Sequence, residues 1–179
     1  MNSKEKALLH RGMDKVRQKK YDEALEIFER VISDNDAIPE AWNNLGVALY
    51  GLGRMDEALN SYDRSLALDP ANLDALRNKA FLLRGLRRLE DSMMAYDLVL
   101  QNGGDGYDQE SAAVVLTALG RLEEALSCLY LARETISLDR LEDEIAFVKD
   151  LMEKRGLPIP EARAAPGTIP ANDMPQGKE

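Results

Sequence analysis

The chain has 179 residues, 45% apolar and 31% charged, with a formal net charge of -9. That acidity opposes general binding to nucleic acid, whose phosphates reward Lys and Arg through counterion release. A single cysteine excludes an intramolecular disulfide, no apolar run approaches the roughly 18 residues needed to cross a bilayer, and the first segment is too polar for a signal peptide; a cytoplasmic protein without membrane contact is expected.

From the N-terminus, Leu8, Gly12 and Val16 recur at four-residue steps and mark the face of a first helix. Arg11 and Lys15 interrupt that face, as suits an end helix with solvent on one side. The segment Tyr21 to Ile32 then carries Ala24, Leu25, Phe28, Val31 and Ile32 on one stripe. Between Pro39 and Asn72, one set of spaced residues is Trp42, Leu45, Gly46 and Leu49, and a second is Ala58, Tyr62, Ser65 and Leu66. Gly53 closes the helix of the first set, and Asp69 with Pro70 ends the second, so the stretch predicts a helical hairpin. Trp42 is expected in the seam between these helices and the preceding hairpin.

Past Pro70, Leu76, Ala80 and Leu83 hold an inner face in which Lys79 replaces an apolar residue, its methylenes laid along the surface. The helix that follows ends at Asn102 and Gly103, a glycine stop in place of Asp-Pro. About Asp108 to Leu119, Ala112, Ala113 and Leu116 point inward. Gly120 to Leu129 then mirrors Gly53 to Tyr62, one residue early. Leu138 to Arg155 sets Leu138, Leu141, Ile145, Val148, Leu151 and Met152 against Asp143, Glu144, Asp150 and Glu153, which predicts an amphipathic end cap. The rest, 156–179, holds most of the seven prolines without periodicity and is expected to be disordered.

Shifted by about 34 residues, the central hairpin overlays its neighbours. Trp42 falls on Leu8 and Leu76, Gly46 on Gly12 and Ala80, Ala58 on Ala24 and Ser92, and Tyr62 on Phe28 and Tyr96. With Trp42, Leu45, Gly46, Ala58, Tyr62 and Pro70 in place, and Leu49 where a Tyr is usual, the chain resembles the tetratricopeptide repeat family. The resemblance implies an all-α fold, a right-handed α-solenoid of helix-turn-helix hairpins with a C-terminal capping helix. It divides the chain into a repeat domain over 1–155, with repeats near 5–38, 39–72, 73–106 and 106–139 and a cap near 138–155, and the tail 156–179. No hairpin buries its own apolar face, so a continuous core seam between stacked neighbours is expected.

Catalytic chemistry has little to draw on. The chain has one His and one Cys, with no HExxH, CxxC, phosphate-loop or nucleophile-elbow pattern. His10 reads as a groove or solvated residue and Cys128 as a packed thiol. Asp34, Asn35 and Asp36, and Asp105 with Asp108, lack the glycine and bidentate Glu of a calcium loop and read as caps and turns. No enzyme, metal or cofactor is expected.

In the family's geometry, the first helices of the repeats line a concave groove. The resemblance places Glu40, Asn43, Asn44, Val47 and Tyr50 of the second repeat there, and Asp74, Arg77, Asn78, Phe81 and Arg84 of the third. Tyr107 and Ser111 follow in the fourth. An asparagine offers a donor and an acceptor to an extended backbone; family members that bind extended peptides often carry one where Asn44 and Asn78 stand. Val47, Tyr50 and Phe81 would supply apolar pockets, and Arg77 and Arg84 would read a carboxylate by paired hydrogen bonds. The two-carboxylate clamp of chaperone-binding members is not matched. One frame gives Asn43, Val47, Asn78, Tyr107 and Ser111, the other Leu9, Met13, Asn44, Asp74 and Asn78, and only the central Asn fits. The implied function is a non-enzymatic scaffold that binds a protein or peptide segment. The alternative is weak self-assembly, through contact of the basic first helix with the acidic cap or through the tail entering a groove.

Overall fold

The computed structural model describes residues 1–137 and 139–160, and these form an all-α helical solenoid. The described helices are α1 (Ser3–Arg17), α2 (Tyr21–Asp34), α3 (Pro39–Gly51), α4 (Met55–Leu68), α5 (Leu73–Gly85), α6 (Leu89–Gln101), α7 (Gly106–Leu119), α8 (Leu122–Thr135) and α9 (Asp139–Lys154). Leu138, expected to open the cap, and 161–179 of the expected disordered tail lie outside the described residues. Each odd-numbered helix from α1 to α7 packs on the even one after it, and α9 closes the stack against α8. Across repeats, α1 also touches α3 and α3 touches α5. No described helix is long and apolar enough to cross a membrane.

The same turn closes the first helix of each hairpin. Lys19, Gly53, Arg87 and Gly120 all adopt the left-handed conformation, with φ of 58, 77, 62 and 76°. In the second hairpin Gly53 N donates to Tyr50 O at 3.0 Å and Arg54 N to Leu49 O at 2.9 Å, and the pattern recurs at the other turns. Two of these positions carry side chains that clash mildly there, at about 1 kcal/mol or more. Lys19→Gly and Arg87→Gly are therefore each expected to raise unfolding free energy by about 0.5–1 kcal/mol, the gain being trimmed by glycine's freedom in the unfolded chain. Urea unfolding of each variant measures this, and a loss would show that the turn does not set the strain.

Within a hairpin, small residues let aromatic rings close on the neighbouring backbone. A Cβ added to Gly46 would meet Tyr62 Cε1 at 2.5 Å, and one added to Gly12 would meet the Phe28 ring. Phe28 and Tyr62 are buried, as are the alanines Ala24 and Ala58 that precede them by one turn. Ser65 Oγ donates to Pro39 O at 2.8 Å and Ser92 Oγ to Ala80 O at 2.8 Å, so these buried hydroxyls tie the two helices of their hairpins.

Two expectations change. The core is not one seam but two clusters that divide at α5, where Leu82 and Leu83 join the N-terminal cluster and Leu76 and Ala80 the C-terminal one. The polar content of the α4–α5 junction explains the break: the half-buried Lys79 of α5 reaches Asp63 of α4 at 2.6 Å, and Asp56 and Asn60 of α4 line the same cleft. Trp42 is only half-buried. It packs at the edge of the N-terminal core cluster, while its Nε1 donates to Asp36 O at 2.8 Å and Arg64 lies 5.4 Å from the ring centroid, so it also clamps the α2–α3 connection.

At the C-terminal end, Leu141, Ile145, Val148 and Met152 of α9 are buried as the stripe predicted, but Glu144 on the expected outer face is half-buried. Helix α7 starts at Gly106, ahead of the Asp108 expected, because Asp105 caps it through the N–H groups of Tyr107 and Asp108.

Candidate peptide-binding groove

Contacts between successive odd-numbered helices join the expected groove residues into one surface. Asn78 Nδ2 on α5 donates to Asn43 Oδ1 on α3 at 2.9 Å. Tyr50 and Phe81 meet edge to face, with ring centroids 5.9 Å apart and planes at 74°. Arg77 on α5 donates through Nε and Nη2 to the two carboxylate oxygens of Asp108 on α7, at 2.8 and 2.6 Å. Arg140 on α9 makes the same fork to Glu110 on α7, at 2.6 and 2.7 Å.

The expected groove residues therefore fall into distinct settings. Asn43 is buried and spends its amide on Asn78 and on Asn44, whose Oδ1 accepts from Asn43 Nδ2 at 3.4 Å. Val47 is half-buried against the N-terminal core cluster. Tyr50 and Phe81 stand exposed, and Arg84 lies 5.2 Å from the Phe81 centroid. Arg77, Asn78, Phe81, Tyr107 and Ser111 line one cavity of about 330 Å³. Exposed Tyr107 forms part of its rim.

Residues that the sequence reading gave other roles, or none, complete this cavity. Tyr96, Asp105 and Asp108 also line it. Asp108 is buried, and its burial pushes the carboxyl up. The Arg77 guanidinium and the Asp105 N–H outweigh that push and hold it below the usual Asp range. The Arg77–Asp108 and Arg140–Glu110 pairs join residues 31 and 30 apart in sequence, nearly one repeat length. That spacing was the available signal. A further carboxyl, Glu144, is raised above the ordinary Glu value by burial and by the Glu110 carboxylate beside it.

The ends of the stack pair their charges internally. Lys4 reaches Asp34 at 3.1 Å and Arg17 reaches Asp14 at 2.7 Å, while near the cap Arg133 reaches Glu142 at 3.4 Å and Lys154 reaches Asp150 at 2.6 Å. Among the described residues, no group of three His, Cys, Asp or Glu is placed to hold a metal ion. Cys128 is half-buried against the C-terminal core, and burial pushes its thiol up to about 11. Alkylation of native protein by iodoacetamide is expected to stay slow through pH 9 and to climb only near pH 11. Fast reaction near neutral pH would contradict the packed setting.

Comparison with known proteins agrees with this architecture. A family model described as tetratricopeptide repeat matches residues 9–72 and again 49–107, and the chain belongs to that family. Among solved structures, MamA of Desulfovibrio magneticus RS-1 is similar at a TM-score of 0.74 and 19% identity, over 87% of this chain and 89% of that one. The first tetratricopeptide domain of Spaghetti (RPAP3), bound to the HSP90 peptide SRMEEVD, is similar at a TM-score of 0.63 and 20% identity, over 67% of this chain and 99% of that one. The first such domain of human RPAP3 gives 0.62 and 20%, over 65% and 93%. No curated protein matches the chain in sequence.

Proposed function

We propose that the chain is a non-enzymatic adaptor whose odd-numbered helices hold an extended or helical segment of a partner protein. The observation that carries this reading is the open cavity of about 330 Å³ between α5 and α7, with exposed Phe81 and Tyr107 at its edges. Exposed aromatics beside a concave, partly polar surface are the usual anchors of a protein contact. The solved RPAP3 domain with its bound peptide shows that a domain of this fold takes a short segment, which supports the reading. A cytoplasmic location goes with it, supported by the lone, unpaired thiol.

The test is affinity capture on the full chain beside a Phe81→Ala, Tyr107→Ala double variant that retains its helical circular dichroism. A protein held by the first and released by the second is expected. Equal recovery on both would remove the groove from the account.

A further inference from the structure

The charge of this cavity says what kind of segment it takes. Resting on the groove reading above, we infer that the segment seated between α5 and α7 carries a basic side chain, Lys or Arg, next to an apolar one.

Three carboxylates surround a single guanidinium. Arg77 forks to buried Asp108, while its Nη1 lies 4.0 Å from Asp74 and its Nη2 3.7 Å from Asp105. One cation cannot neutralise all three. The side chains of Asp74 and Asp105 are 79% and 58% exposed, so the surplus negative charge faces solvent around Arg77, with Asp105 on the cavity wall. The next arginine along the surface is equally committed: Arg140 is forked to Glu110, which also faces Glu144. Arg84 rests on Phe81.

An acidic ligand would meet the surplus carboxylates, and the Arg77 donors in the cavity are spent on Asp108, which leaves only Arg84, stacked on Phe81, to face it. A basic side chain instead gains from Asp74 and Asp105, and the exposed Tyr107 ring beside them offers a face for cation–π contact. An apolar neighbour in the same segment then reaches Phe81 and the Tyr96 side of the cavity. The inference thus departs from the expectation that Arg77 reads a ligand carboxylate, because that fork is already made to Asp108.

The test uses a random dodecapeptide library displayed on phage and selected on the full chain, followed by titration of the enriched peptide and of its Lys/Arg→Glu counterpart. Two variants accompany the wild type. Asp74→Asn with Asp105→Asn removes the surplus charge and keeps an asparagine cap on α7; Phe81→Ala trims the apolar wall. The enriched peptides are expected to pair Lys or Arg with an apolar residue. Binding is expected to fall about tenfold in the double Asn variant with a shallower salt dependence, and to vanish for the Glu counterpart. Enrichment of acidic peptides that Phe81→Ala weakens would overturn the basic-segment inference and leave the groove reading standing. Peptides whose binding ignores Phe81→Ala, or no enrichment at all, would overturn both.

Discussion

Alanine in place of Phe28 is expected to lower unfolding free energy by about 3–5 kcal/mol. The ring is wholly buried and lies on the Gly12 backbone, where an added Cβ would have no room. The two positions are therefore coupled. Gly12→Ala alone is expected to cost about 1–3 kcal/mol by overpacking. In a Phe28→Leu background the same change is expected to be near neutral, because the ring is gone and alanine gains about 1 kcal/mol of helix propensity over glycine. Urea unfolding of the four members of the cycle measures the coupling. Additive effects would mean that the close approach of α1 and α2 does not depend on that contact.

Arg77→Ala is expected to destabilise the fold by about 2 kcal/mol at neutral pH, below the 3–5 kcal/mol of a fully buried pair because the Arg77 side chain is 36% exposed. The loss comes from leaving Asp108, whose side chain is 7% exposed, charged and without its fork. Its pH dependence is the diagnostic part. In the wild type the folded-state pKa of Asp108 is depressed, so its contribution is present above the ordinary Asp value of about 4 and is lost as pH falls through the lower folded value. Without Arg77, burial is opposed by the Asp105 contacts alone, so the depression weakens and less stability is gained as pH rises past 4. The deficit of the variant is therefore expected to be largest near pH 7 and to shrink toward pH 3. An equal deficit at both ends would show that the loss is packing alone. The substitution also unsettles the cap of α7, because Asp108 accepts from Asp105 N at 2.8 Å. Arg77 is consequently a poor site for testing binding, and Phe81 or Asp74 serves better.

The fold was legible because each hairpin repeats the same local instructions. Small residues at Gly12 and Gly46 accept the aromatic rings of Phe28 and Tyr62, and Ala80 with Tyr96 repeats the pairing at the same spacing within the C-terminal cluster. The break in the core was harder to read. Lys79 stands out in sequence as a departure, but its consequence depends on Asp56, Asn60 and Asp63 of α4 lying opposite, which no single helix reveals. The groove was half legible for a related reason. Spacing within a helix places Arg77, Asn78 and Phe81 on one face; it cannot show that Arg77 meets Asp108 one repeat later and so has little left for a ligand. Asp105 and Asp108 read in sequence as caps and turns, and they do form the α7 cap, while their second role as partners of Arg77 arises only from stacking.

Side-chain NMR of the full chain, recorded while a segment from a captured partner is titrated in, tests the central claim most directly. The account predicts that signals of Tyr50, Phe81 and Tyr107 on the odd-numbered helices shift together and saturate at one affinity, while exposed Met94, Leu98 and Leu131 on the even-numbered helices stay in place. Shifts confined to Met94, Leu98 and Leu131 would move recognition to the even-numbered helices and contradict the groove account.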